Sequence, residues 1–131
     1  MYALERPRVL VIDDEPSICR CLKRTLEDYG FEPITCCTRE EAEARFRTEW
    51  FDLAVIDLRL GDSRGDQLFY HVIGEQPHLE RRSVFITGDI TEGGWNLIRA
   101  TGCPMILKPF HNGELVNLLY SLLPRADEVP A

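Results

Sequence analysis

The sequence has no long hydrophobic run, no paired cysteine spacing of a structural zinc site, no glycine fingerprint and no excess of positive charge. Each absence removes a class of function. No apolar stretch approaches the roughly 20 residues needed to span a bilayer. Met1 to Arg8 contain no apolar segment of a secretory signal, so a cytoplasmic location is the default expectation. With 15 Lys and Arg against 22 Asp and Glu, the formal charge is −7. Non-specific binding to nucleic acid or acidic lipid requires the opposite sign, so neither direct nucleic-acid binding nor a membrane partner is expected. Cys19, Cys21, Cys36, Cys37 and Cys103 lack C-x₂₋₄-C pairing and have no His near them in sequence. An odd number of cysteines without a signal reads as reduced thiols, serving as small half-buried side chains. His71, His78 and His111 are too scattered for a metal site. No G-x-G-x-x-G follows the first apolar run, which disfavours a dinucleotide fold. Internal repeats and low-complexity stretches are also absent.

What remains is the composition of an ordinary globule, 44% hydrophobic over 131 residues, enough for one domain. Four short apolar runs each end in a group able to do chemistry. Val9–Ile12 runs into Asp13-Asp14, Leu53–Ile56 into Asp57, Val84–Ile86 into Thr87, and Met105–Leu107 into Lys108-Pro109. Helix-period segments alternate with them. Pro16–Tyr29 carries Ile18, Cys21, Leu22, Thr25, Leu26 and Tyr29 at helical spacing and stops at Gly30. Thr38 and Glu41 form a capping box that opens a helix to about Glu49. Asp66–Gly74 presents Leu68 and Val72 on one face, and Leu115, Leu118, Leu119 and Leu122 mark a last helix. In Thr91–Ala100, Gly93-Gly94 costs roughly 2 kcal/mol of helix propensity, so a short or mobile helix is expected there. Trp50 and Trp95 read as packing residues.

Five βα units result if Phe31–Cys36 is the second strand. Pro33 confines that strand to an edge; the other four runs are continuously apolar, as in parallel strands covered on both faces. The expected fold is α/β: a flavodoxin-like, doubly wound five-stranded parallel sheet of order 2-1-3-4-5, with helices on both faces. Its strand ends meet at the switch point between strands 1 and 3, where such sheets place ligands. Taken singly, Asp13-Asp14 reads as a turn capping the first helix, Asp57 and Thr87 as strand-end residues, and Lys108 as a solvated lysine. Jointly they read as phosphoryl chemistry. Three carboxylates make a hard, oxygen-rich cation site suited to Mg²⁺, Asp57 can attack phosphorus, and Thr87 and Lys108 can hold phosphoryl oxygens.

Val-Leu-Val-Ile-Asp13-Asp14-Glu15-Pro16, Asp57-Leu58, Gly65, Thr87-Gly88 and Lys108-Pro109-Phe110 together resemble the receiver domains of two-component response regulators. The successive intervals of 43, 30 and 21 residues between Asp14, Asp57, Thr87 and Lys108 agree with that family. The resemblance covers residues 7–123, leaving 1–6 and 124–131 as terminal extensions; the acidic tail from Pro124 reads as a disordered end or the start of a linker. It implies that Asp57 is the phosphoacceptor, and that Asp13, Asp14, Asp57 and the Arg59 backbone carbonyl hold Mg²⁺, with Mn²⁺ as a substitute. Thr87 and Lys108 would bind and report the phosphoryl group, and the Lys108–Pro109 peptide would be cis. The donor would be a histidine kinase or a histidine phosphotransfer protein, docking near Pro16, Ser17, Phe110 and His111. A downstream protein would read the change around Thr91–Ala100, the last strand and the last helix; a homodimer is left open. Such a domain is not an enzyme in the ordinary sense, since it acts only on its own phosphorylation and dephosphorylation.

Three departures from the pattern stand out. Met105 or Ile106 occupies the stretch of the last strand where many members carry an aromatic switch, which resembles hybrid-kinase or stand-alone receivers. Leu58-Arg59-Leu60-Gly61 replaces a common Met-Pro pair, and Gly61 predicts a more flexible loop. Arg59 and Asp89 fall two positions beyond the acceptor and the threonine, flanking the path of a hydrolytic water. The alternatives are a degenerate receiver acting as a phosphorylation-independent binding module, and a haloacid dehalogenase-like phosphatase. The second is disfavoured because its Asp-x-Asp is replaced by an adjacent pair.

Overall fold

The apolar runs become strands because β-branched and aromatic side chains can be covered on both faces of a sheet at once. The computed structural model describes residues 5–88 and 91–124. Along the chain it contains β1 (Arg8–Ile12), α1 (Pro16–Asp28), β2 (Glu32–Cys36), α2 (Arg39–Phe46), β3 (Leu53–Asp57), a two-residue pair β4 (Arg59–Leu60) and β5 (Ser63–Arg64), α3 (Gly65–Glu75), β6 (Ser83–Thr87), α4 (Glu92–Thr101), β7 (Met105–Leu107) and α5 (Asn112–Leu122). The main sheet is parallel throughout, in the order β2-β1-β3-β6-β7. Counted among the sheet strands alone, this is the expected 2-1-3-4-5, with Pro33 in an edge strand.

Alternation along the strands divides the core in two. Leu10, Ile12, Ala54, Ile56 and Phe85 pack with Phe46 of α2, Leu68, Phe69 and Val72 of α3, and Ile98 of α4. Val9, Val11, Val55, Val84 and Ile86 pack with Leu22 and Leu26 of α1 and with Leu115 and Leu119 of α5. The fold is therefore doubly wound, and every strand carries its last residue to the same edge of the sheet.

Five sequence expectations need correction. α2 stops at Phe46 instead of running to Glu49. The buried Gln76 amide takes the carbonyls of Phe46 and Glu49 at 2.9 and 2.6 Å, so these groups no longer call for helix. α4 is a full ten-residue helix despite Gly93-Gly94. Burial of Ile98 and the Thr91 cap offset a local propensity deficit. On α1 it is Cys19, not Cys21, that faces the core; Cys21 is exposed. Trp50 and Trp95 are 58% and 41% exposed, and Trp50 stacks on His78 at the surface with ring centroids 3.9 Å apart. The segment after Asp57 is the β4–β5 hairpin rather than an open loop.

Candidate phosphoacceptor site

The C-terminal edge of the sheet is fixed by backbone first. Asp13 N–H donates to the Cys36 carbonyl at 3.1 Å, Leu58 N–H to Ile86 at 3.1 Å and Lys108 N–H to Thr87 at 2.8 Å. These bonds tie the ends of neighbouring strands and set the positions of Asp13, Asp57, Thr87 and Lys108. Asp13 and Thr87 are fully buried and Asp57 is buried at the end of β3, whereas Asp14 is exposed. Carboxylate oxygens of Asp13, Asp14 and Asp57 all lie within 4.8 Å of one another.

Asp13-Asp14 does not cap α1. The cap residue is Glu15, which makes no side-chain capping bond. Asp13 Oδ1 instead accepts from Glu15 N–H at 2.9 Å, closing a local turn that leaves Oδ2 facing the cluster. The Lys108 ammonium lies 2.9 Å from both Asp13 Oδ2 and Asp57 Oδ2, and 3.6 Å from Glu15 Oε1. Asp57 Oδ1 accepts from Arg59 N–H at 3.1 Å. Asp14 Oδ2 accepts from Gly61 N–H at 2.9 Å, which pins the hairpin whose turn Gly61 makes with φ +61°. The Lys108–Pro109 peptide is cis.

Gly65 opens α3 directly over Asp57. A Cβ at this position would sit 2.0 Å from the Asp57 carbonyl oxygen and 2.9 Å from Ile56 Cγ2, so only glycine lets the helix begin there. The sheet end and the start of α3 therefore hold the Asp57 backbone between them.

Electrostatically the cluster is unbalanced, with three carboxylates around one ammonium. Burial raises the Asp57 pKa above the ordinary aspartate value; the Lys108 ammonium and the Arg59 N–H oppose this, and Asp13 adds to it. Burial works against the Lys108 charge, but Asp13 and Asp57 outweigh it and hold its pKa above that of an ordinary lysine. Asp13 Oδ2 is buried without a well-aligned hydrogen bond, although Lys108 lies at ion-pair distance. A hard divalent cation suits such a set of oxygens: it would give Asp13 Oδ2 a partner and offset the excess negative charge.

The structure thus gathers Asp13, Asp14, Asp57 and Lys108 into one cluster, with Thr87 at the end of the neighbouring strand. Arg59 is exposed on β4, and its proposed companion Asp89 lies outside the described residues. Glu15 beside Lys108 was given no role on sequence grounds; its one available signal was a third acid directly after the pair. Pro16, Ser17 and His111 are exposed around the same edge, and Phe110 is half-buried. His71, His78 and His111 form no cluster: His71 lies 3.5 Å from Glu43, and His78 bonds the Phe51 carbonyl.

The model of the response regulator receiver domain matches residues 9–120. The chain belongs to the response regulator receiver domain family. A curated relative, the alginate biosynthesis transcriptional regulatory protein AlgB of Pseudomonas aeruginosa, is 41% identical over 109 residues, covering 82% of this chain and 24% of its own. This receiver domain spans about a quarter to a half of the length of such curated relatives. Among solved structures, a CheY-like receiver domain protein from Methanospirillum hungatei superposes with a TM-score of 0.82 at 25% identity, covering 89% of this chain and 93% of that one. A response regulator from Burkholderia pseudomallei, solved with a phosphorylated aspartic acid, calcium ion and citrate, gives 0.78 at 25% identity over 86% of this chain and 66% of that one. Among the described residues, no helix of the receiver domain is long and apolar enough to cross a membrane.

Proposed function

We propose that Asp57 accepts a phosphoryl group from a phosphohistidine on a histidine kinase or histidine phosphotransfer protein, in a Mg²⁺-dependent reaction that alters the domain's binding surface. The observation that carries this reading is a buried carboxylate at the end of the central strand, 2.9 Å from an ammonium and within 4.8 Å of two further carboxylates. A phosphorylated aspartate in a relative of the same fold supports it.

Asp13, Asp14, Asp57 and the Arg59 carbonyl would hold the ion, which when bound draws charge from the phosphoryl oxygens. One Asp57 oxygen attacks phosphorus, the N–P bond breaks and the departing imidazole keeps its electron pair. Lys108 moves from balancing two carboxylates to balancing the new phosphoryl charge, and the Thr87 hydroxyl donates to a phosphoryl oxygen. This is chemistry by positioning and charge neutralisation. Water later attacks the acyl phosphate and regenerates the Asp57 carboxylate. Arg59 beside the acceptor would slow that attack, so Arg59→Ala is expected to lose phosphate faster than wild type. Pro16, Ser17, Phe110 and His111 surround the access to Asp57 and would meet the donor. The alternative, a receiver that binds without phosphorylation, gains nothing from the geometry.

The test is incubation with acetyl phosphate, with and without Mg²⁺, read by intact mass. The expected result is a gain of one phosphoryl group that requires the ion and is absent in Asp57→Asn. A wild-type protein that gains no mass, or an Asp57→Asn variant that still does, rules the reading out.

A further inference from the structure

Two cysteines that share no motif in the sequence meet behind the acidic cluster. Cys19, in the first turns of α1, and Cys37, just past the end of β2, bring their sulfurs to 3.7 Å. Cys19 is buried and Cys37 is partly open to solvent. Cys36, although adjacent in sequence, points to the opposite side of the sheet, into the core with Ala42 and Phe46. Cys103 lies elsewhere, near the Glu80 carbonyl, and Cys21 is exposed and outside the pair. The Cys19 thiol also donates to the Asp13 carbonyl at 3.2 Å, so this sulfur touches the backbone that carries an acid of the site.

We propose that Cys19 and Cys37 form a reversible disulfide, a modification site for low-molecular-weight disulfide oxidants. The sulfurs, 3.7 Å apart, need to approach by less than about 2 Å to reach the bond length of about 2.05 Å. Cys37, the accessible sulfur, attacks one sulfur of glutathione disulfide as its thiolate, and the first glutathione thiolate leaves. Cys19 then attacks the Cys37 sulfur of the mixed disulfide, its proton passes to the departing second glutathione, and the S–S bond closes. Two protein thiols are oxidised and one glutathione disulfide is reduced to two thiols. In a reducing compartment such bonds are typically transient and sensory. The oxidised Cys19 can no longer donate to the Asp13 carbonyl, and α1 becomes bonded to the segment after β2. This consequence rests on the receiver reading of Asp13. The Asp13 backbone positions the Asp13 carboxylate, so the two redox forms are expected to differ in Mg²⁺ affinity.

Trypsin separates the relevant residues, because cleavage after Arg8, Arg20, Lys23, Arg24 and Arg39 places Cys19, Cys21 and Cys37 in three different peptides. Reduced protein is incubated with glutathione disulfide, alkylated, digested without reductant and mapped by mass spectrometry. The expected product links the 9–20 and 25–39 peptides. The link forms in Cys36→Ala and Cys21→Ser, is absent in Cys37→Ser and is removed by dithiothreitol. In Cys19→Ala, which lacks the resolving sulfur, Cys37 is expected to retain glutathione. Glutathione found on Cys21 alone, or a link that survives in Cys37→Ser, overturns the proposal. Calorimetry with MgCl₂ then compares the two redox forms, and equal affinities overturn the effect on the site. A reduced protein that binds no Mg²⁺ counts against the receiver reading and leaves the peptide map to decide on the thiol pair.

Discussion

At the scale of single residues, the site is set as much by a missing side chain as by those present. Gly65→Ala would drive a methyl into the Asp57 carbonyl at 2.0 Å. Relief requires the start of α3 or the end of β3 to move, so the expected loss is about 3 kcal/mol, at the top of the usual overpacking range, measured by urea unfolding. Gly74→Ala is the control. It lies in the same helix with nothing within 4 Å of the added atom, and a gain of roughly 0.5–1 kcal/mol is expected. Asp13, Asp14, Asp57, Thr87 and Lys108 were legible in the sequence because each ends an apolar run, and parallel strands bring those ends to one edge. The contact of Cys19 with Cys37 was not legible. It depends on how α1 rotates on the sheet, and the helical pattern had placed Cys21 on the inner face.

At the scale of elements, α4 shows a local propensity deficit overridden by capping and packing. Thr91 Oγ1 accepts from Gly94 N–H at 3.2 Å. Thr91→Ala should cost about 1 kcal/mol and speed hydrogen exchange through the helix. Gly93→Ala should slow that exchange, since its new methyl meets nothing closer than Thr91 Oγ1 at 4.0 Å and the helix gains up to about 1 kcal/mol. Exchange unchanged in both variants would mean that packing of Ile98 alone governs α4. The sequence underestimated this helix because propensity counts glycines and not the buried face. It overestimated α2 because periodicity does not reveal that Gln76, a residue of another element, competes for the last carbonyls. The hairpin after Asp57 was missed for a similar reason: two-residue strands have no period, and the Asp14 acceptor that holds Gly61 is 47 residues away.

For the whole molecule, acid and cation should act in opposite directions. Glu43 links α2 to α3, contacting Arg39 at 2.7 Å and His71 at 3.5 Å. The hydrogen bond from Arg39 holds its pKa below the ordinary glutamate value of 4.5. A depressed carboxylate pKa contributes stability above the unfolded value, and that stability is lost as pH falls through the folded value. Wild type should therefore lose stability below about pH 4.5 more steeply than Glu43→Gln, a difference readable from denaturation midpoints across pH. Mg²⁺ should raise the Tm, because a ligand of the native state alone stabilises it by mass action; Asp14→Asn should abolish most of that rise. Asp14 also gives the hairpin its hold, through the 2.9 Å bond to Gly61 N–H. Linkage makes these two uses reciprocal. If a bound ion changes the affinity of an outside protein for Ser63–Arg64 by some factor, the binding of that protein changes ion affinity by the same factor. A docking partner could thus set the ion occupancy of a cluster it never touches.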